Sequence, residues 1–282
     1  MPELPEVETI RRDLERAVGG RRLRKVEVFE PRLLQNASQA QLRQTLCGQT
    51  LNAMGRRGKF LIFDFGAHSA VVHLRMSGWF SQQPGTHTRM VLRFERATIY
   101  FDDTRRFGTL HLVESDLLER LPPLGALGLE PLDASANDFE GLCDTSREVK
   151  RVLLDQTKLA GLGNIYVCEA LFQAGIHPKQ RANSTSKTQR RALLEAVQHT
   201  LRCAIEHHGS TLGSAVGDYR TLGGAQGGFQ DRFQVYGRAG APCFACHTPV
   251  LRVVQAGRGT FFCPTCQPFK ATTRNPRPRA GR

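Results

Sequence analysis

The chain opens on an apolar period of three to four. Leu4, Val7, Ile10, Leu14 and Val18 fall on one face and Gly19-Gly20 follows, which predicts a single amphipathic helix over residues 4–18. From about residue 23 to 113 the rhythm shortens to runs rich in β-branched and aromatic residues. Segments 25–29, 60–65, 70–74, 90–94 and 98–101 are separated by Gly, Pro and Asn, and they predict antiparallel strands in a sandwich or barrel. Pro122-Pro123 through Pro131 reads as a linker. Beyond it the helical period returns, with helices predicted over 147–155 and 165–174. A third runs from the capping box Ser186-Lys-Thr-Gln189 to about His208, where Gly209 follows. Residues 213–228 are glycine-rich. The fold class is α+β: a β-rich domain over 1–131, a helical domain over 132–233, a small module over 234–267 and a basic tail over 268–282, read as disordered. No internal repeat is present.

Composition sharpens this picture through charge. The 282 residues are 40% hydrophobic, enough for two cores, but the formal net charge is +13. The excess is uneven: from Arg232 to Arg282 there are nine Arg or Lys and no Asp or Glu. A block of that kind fits the phosphates of a nucleic acid better than it fits a merely solvated face. No run of about 18 apolar residues predicts a membrane span. The start, Met1-Pro2-Glu3, lacks a basic-then-apolar leader, which reads as a cytoplasmic protein.

Four of the eight cysteines form two pairs, Cys243-x-x-Cys246 and Cys263-x-x-Cys266, with 16 residues between the pairs. Each pair puts two thiolates on one tight turn, and a hairpin between them closes a tetrahedron of sulfur around one structural Zn2+. Redox pairs would need a βαβ setting that this region lacks. Four thiolates leave no open position, so the metal serves folding and not catalysis. Cys47, Cys143, Cys168 and Cys203 sit among apolar residues and read as packed thiols.

The segment Pro2-Glu3-Leu4-Pro5-Glu6-Val7-Glu8 admits two readings. A small second residue permits removal of Met1, leaving a secondary amine on Pro2 that can attack an aldehyde-like carbon and form an iminium, with Glu3 beside it as acid. Alternatively, proline starts the helix and the acidic residues complement its dipole. Taken alone, the segment does not separate them.

A wider set of motifs does. Pro2-Glu-Leu-Pro-Glu-Val-Glu8, Gly55-Arg-Arg-Gly-Lys-Phe60, His73-Leu-Arg-Met-Ser-Gly78 and Asp103-Thr-Arg-Arg-Phe-Gly108 occur in order. They are followed by Leu153-Leu-Asp-Gln-Thr-Lys158, Gly161-Leu-Gly-Asn-Ile-Tyr166, Gly175-Ile-His-Pro178, Val235-Tyr-Gly-Arg238 and the zinc cysteines. Over residues 2–267 the chain resembles the bacterial formamidopyrimidine-DNA glycosylases. The resemblance implies an N-terminal antiparallel β-sandwich flanked by helices, then a helix–two-turn–helix domain carrying a four-cysteine zinc-finger hairpin. It implies a glycosylase and abasic-site lyase of base excision repair, acting on double-stranded DNA that holds oxidised purines or abasic sites. It also implies β,δ-elimination after base removal, and work as a monomer in the bacterial cytoplasm at the nucleoid.

On the same resemblance Pro2 is the nucleophile, Glu3 the acid, Lys59 the lysine of β-elimination and Arg258 the arginine of δ-elimination. Met76, Arg105 and Phe107 match residues inserted into the base stack, which suits apolar wedges and a guanidinium facing an everted base. Asn164 reads as the N-cap of the helix after Gly161-Leu-Gly163, offering its N–H groups to a phosphate. Glu6, His73, His87 and Lys150 occupy further DNA-binding positions. The family's basic cluster five residues before Lys150 is replaced here by Thr145 and Ser146, with Arg147 as the substitute contact. Residues 213–228 match poorly. Two alternatives remain: an endonuclease VIII-type glycosylase for oxidised pyrimidines, against which Leu4 and the Met76/Arg105/Phe107 set argue, and a non-catalytic zinc-dependent damage-binding protein.

Overall fold

The computed structural model describes residues 2–213 and 219–270; the tail from 271 onward and residues 214–218 of the glycine-rich segment lie outside them. The chain forms two compact units. The first comprises Met1–Ala134, Asp155–Gly163 and Gln198–Phe233, and the second Ser135–Leu154, Asn164–Val197 and Gln234–Arg282.

In the first unit the chain runs α1 (Leu4–Val18), β1 (Leu23–Val28), α2 (Gln39–Leu46), β2 (Ala53–Arg57), β3 (Phe60–Asp64) and β4 (His68–His73). It continues through β5 (Gly78–Ser81), β6 (Thr88–Phe94), β7 (Ala97–Asp103), β8 (Thr109–Glu114) and the short α3 (Pro122–Gly125). Two four-stranded antiparallel sheets result, ordered β1-β6-β7-β5 and β2-β3-β4-β8. Their inner faces share one core. Phe63 of β3 lies 5.7 Å from Phe80 of β5, and Phe80 lies 5.1 Å from Phe101 of β7.

Helix α1 joins that core through Val7, Ile10, Leu14 and Val18, all fully buried. Each such side chain contributes roughly 1.5–3 kcal/mol, ample to fix the helix against the sheets. Arg11 on its flank donates to the Met54 carbonyl at 3.0 Å and so aligns α1 with β2. Glu8 is committed to this scaffold: it pairs with Arg11, Arg12 and Arg56. Burial pushes its carboxyl upward, but the three guanidiniums outweigh burial and hold it below the usual carboxylate range.

The segment read as a linker is folded. The Pro122-Pro123 pair starts α3, because proline needs no N–H at the first helical positions. Leu121 and Leu124 pack on Phe60, Ile62 and Val71, covering the outer side of β3 and β4.

The second unit holds α4 (Ala136–Leu142), α5 (Val149–Leu154), α6 (Asn164–Gln173), α7 (Lys187–Glu206, up to Val197) and the hairpin β9 (Leu251–Gln255) with β10 (Arg258–Phe262). Ser186 and Gln189 exchange the capping-box bonds at 3.0 and 3.2 Å that start α7. Ala256 and Gly257, at φ 51° and 71°, form the two-residue turn between β9 and β10, a geometry matched to strand twist.

Candidate functional site

The start of α1 is held on every side within the first unit. Pro2, Glu3 and Glu6 are buried. Glu3 and Glu6 form a capping box in which the Glu3 N–H donates to Glu6 Oε2 at 2.8 Å. Glu6 Oε1 accepts the Ser210 N–H at 2.8 Å, so one carboxylate fastens residue 3 to residue 210. The Leu4 N–H donates to the Gly161 carbonyl at 3.0 Å. Three glycines make the space. A Cβ at Gly163 would fall 2.1 Å from Glu3 Cδ, one at Gly161 2.7 Å from Leu4 Cδ1, and one at Gly209 2.7 Å from Glu6 Oε1. A buried carboxyl on the residue that follows Pro2, with no spare volume against Gly163, is an arrangement suited to proton transfer at a fixed point.

Lys59 lies in the two-residue turn between β2 and β3 and is also buried. Its neighbour Gly58 packs towards Ala160 and the Gly161 amide, so this turn and the start of α1 share one support, the 155–163 segment. His73, at the end of β4, pairs with Phe60 in register, their rings 4.5 Å apart. Burial first, then the charges of Arg75 and Lys59, depress its pKa to about 3. His73 Nδ1 accepts the Arg75 N–H at 2.9 Å, which leaves the ring proton on Nε2. His73 is therefore a neutral hydrogen-bond donor throughout the physiological range.

This has a measurable consequence for stability. The unfolded histidine takes up a proton near pH 6.5 and the folded one does not, so the stabilisation is complete above 6.5. It is lost as pH falls from there toward 3. In urea titrations at pH 7 and pH 5, His73→Gln is expected to lose less stability on acidification than the parent. Equal losses would show that His73 is not held neutral.

Met76, Arg105 and Phe107 come together although they leave different strands. Met76 and Phe107 are large apolar side chains exposed by 44% and 51%, and together they line a groove of about 530 Å3. The Arg105 guanidinium lies 4.9 Å from the Phe107 ring centroid. Asp103, a residue the sequence reading passed over, organises them. Buried at the end of β7, it accepts from Ser77 Oγ at 2.5 Å, from the Arg105 N–H at 3.2 Å and from the Gly108 N–H at 2.7 Å. One carboxylate thus pins the loop of Met76 and the loop of Phe107. An Asp opening a turn before Thr-Arg-Arg is the signal that would have found it. His87 is half-buried, and its carbonyl accepts the Asp103 N–H at 3.0 Å.

In the second unit Cys243, Cys246, Cys263 and Cys266 place their sulfurs within 4.8 Å of one another. The separations of 3.4, 3.5 and 3.8 Å are close to the ~3.8 Å edge of a tetrahedron with Zn–S bonds of about 2.3 Å, so the residues fit one structural zinc. Arg258 stands exposed at the hairpin tip, and Arg147 is exposed before α5.

Lys150 and Asn164 both make hydrogen bonds to the zinc-module hairpin. Lys150 is fully buried, its Nζ donating to Thr260 Oγ1 at 2.6 Å. Asn164 Nδ2 donates to the Gly259 carbonyl at 2.8 Å, while its Oδ1 meets no donor, so the side chain does not cap α6. Glu169, buried on α6, accepts the N–H groups of Gln234, Val235 and Tyr236 and anchors the entry to the zinc module. Burial nevertheless raises its pKa, only partly countered by those bonds.

Comparison with known proteins agrees with this arrangement. Residues 1–110 match the formamidopyrimidine-DNA glycosylase N-terminal domain, residues 127–215 its H2TH domain, and residues 240–268 a zinc finger found in FPG and IleRS. The formamidopyrimidine-DNA glycosylase of Thermus thermophilus is 46% identical over 271 residues, spanning 95% of this chain and 98% of its own. That of Halalkalibacterium halodurans is 41% identical over 277 residues, spanning 95% and 100%. The crystal structure of the MutM (Fpg) protein of Thermus thermophilus superposes with a TM-score of 0.85 at 46% identity, covering 94% of this chain and 98% of that one. The Lactococcus lactis Fpg in complex with abasic-site DNA gives 0.86 at 34% identity, covering 95% and 100%. Among the described residues no helix is long and apolar enough to cross a membrane.

Proposed function

The chain belongs to the formamidopyrimidine-DNA glycosylase family, and from that premise we propose which of its residues perform each step. It is a base-excision-repair DNA glycosylase with one structural zinc, and strand cleavage at the abasic site is typical of the family. Its substrate is duplex DNA carrying 8-oxoguanine or a formamidopyrimidine. It acts as a monomer on the DNA of the nucleoid. The Pro2 nitrogen, a secondary amine once Met1 is removed, bonds to the anomeric carbon of an everted nucleotide as the bond to the base breaks, and its N–H proton leaves with the base. Glu3 delivers a proton to the sugar ring oxygen, the ring opens, and an iminium remains on Pro2.

Elimination from that iminium then expels the flanking phosphates, with Lys59 serving the first elimination and Arg258 the second. Neutral His73, His87 and the exposed Arg147 hold backbone phosphates. Met76, Phe107 and Arg105 fill the space the base leaves. Glu6 orients the reacting segment by holding the Glu3 amide.

The observation that carries this reading is the Glu3 carboxylate, buried next to Pro2 against a glycine that admits nothing larger. Borohydride trapping tests it on duplexes holding 8-oxoguanine or thymine glycol. A covalent adduct with the 8-oxoguanine duplex, mapped by mass to the Pro2 peptide, is expected. An adduct confined to thymine glycol would reassign the substrate to oxidised pyrimidines, and no adduct with either would leave a DNA-binding protein without this chemistry.

A further inference from the structure

The connection between β5 and β6, residues 82–87, rests on one buried carboxylate, all within the first unit. The sheet order β1-β6-β7-β5 places β7 between those two strands, so the connection crosses it. Asp102 of β7 stands at the crossing, 2% exposed and opposite Thr88 in register. Thr88 Oγ1 accepts the Gly85 N–H at 3.1 Å and donates to Asp102 Oδ1 at 3.0 Å. The N–H groups of His87 and Gly85 face the same carboxylate. Gly85 leaves no gap above it: a Cβ there would fall 2.3 Å from Asp102 Oδ1. Burial raises the Asp102 pKa, and the Thr88 hydroxyl and those N–H groups counter it only in part. A carboxylate taken out of water is expensive unless donors meet it, and the donors here belong to residues 85, 87 and 88. What Asp102 orders is therefore this loop.

His87 is held at both main-chain groups by consecutive residues of β7. Its N–H faces Asp102, and its carbonyl accepts the Asp103 N–H at 3.0 Å. Successive side chains of a strand leave opposite faces, so Asp103 serves the loops of Met76 and Phe107 while Asp102 serves the loop of His87. We propose that Asp102 and Thr88 are positioning residues for His87: they order its loop before DNA arrives, so that the half-buried imidazole meets a backbone phosphate without the chain being ordered again. This rests on the role given to His87 above.

The test uses the zinc-loaded full chain and duplexes holding a tetrahydrofuran abasic analogue, their phosphates replaced one at a time by uncharged methylphosphonate. Kd is measured on each duplex for the parent, His87→Ala, Thr88→Val, Thr88→Ser and Asp102→Ala. Neutralising the phosphate that His87 holds is expected to weaken parental binding about tenfold, the weight of one hydrogen bond to a charged group, and to leave His87→Ala nearly unaffected. Thr88→Val and Asp102→Ala are expected to lose sensitivity at that same phosphate and at no other, although His87 is intact in both. Thr88→Ser, which keeps the hydroxyl, behaves as the parent. In the His87→Ala background Thr88→Val adds nothing further.

Parental sensitivity of Thr88→Val at the phosphate that His87→Ala no longer senses would overturn the inference and leave the role of His87 intact. A loss of affinity by Thr88→Val spread evenly over every duplex would overturn it too, since a general loosening of the domain favours no single phosphate. If His87→Ala responds to every replacement as the parent does, the role of His87 and the inference fall together. Should Asp102→Ala fail to fold, the Thr88→Val and Thr88→Ser pair decides the matter alone.

Discussion

Replacing Gly163 by alanine is expected to slow base excision by about two to four orders of magnitude, the usual weight of a general acid, while DNA binding stays near parental. The added methyl would meet Glu3 Cδ at 2.1 Å and Glu3 Oε1 at 2.2 Å. These atoms form the far end of a flexible side chain, so the fold survives by letting the carboxylate swing away. What is lost is its position, and a misplacement of about 1 Å at a reacting centre can slow a reaction roughly 100-fold. The thermal cost should be small, no more than the ~0.5–2 kcal/mol of a helix cap if the Glu3–Glu6 box opens. Single-turnover excision rates on 8-oxoguanine duplex, measured beside DNA affinity and melting temperature, check this. A folded Gly163→Ala protein working at the parental rate would remove Glu3 from the role of acid. Gly161→Ala should behave differently. Gly161 has φ +89° and faces the core side chain Leu4, so its substitution strains backbone and packing and lowers stability first.

Stripping the zinc, or Cys263→Ser, is expected to unfold the hairpin and lower DNA affinity at least about tenfold, while the sandwich of the first unit melts near its usual temperature. The hairpin has two strands and little else of its own, and two-stranded hairpins are marginal in water. Its small core is built around the ligands: Cys243 and Cys263 are buried together with Cys168, Val235 and Val250. A structural zinc supplies about 10–16 kcal/mol, on the scale of an entire domain's stability, so nothing local replaces it. With the hairpin would go Arg258, to which the second elimination is assigned above. Circular dichroism and fluorescence anisotropy on chelator-treated protein read both effects. Undiminished affinity in metal-free protein would detach the zinc module from DNA binding.

What was legible in the sequence follows from how each signal is encoded. Helix α1 was plain because its buried positions repeat every three or four residues, and the zinc site because its ligand spacing is itself the geometry. Strand β2 was not: Ala-Met-Gly-Arg-Arg has neither alternation nor an apolar run, since its arginines are consumed internally by Glu8 and Glu130. Helix α2 was hidden inside β-rich territory even though Ser38 and Gln41 form a capping box. At the start of α1, residue types singled out Pro2 and Glu3, but the glycine that confines Glu3 lies 160 positions away, and only the fold brings them together. The internal contacts of Lys150 and Asn164 were not legible in the sequence for one reason. Polar side chains suggest solvent or ligand, and nothing local reveals that their partners are a threonine hydroxyl and a carbonyl about a hundred residues on.

Asp103 carries a consequence for how damage is found. A single buried carboxylate ties the loops of Met76 and Phe107 to one strand end, so if these side chains enter the stack as proposed, they enter it preassembled. Their ordering entropy is settled once, at folding, and is not charged again at every base pair probed during a search along the genome.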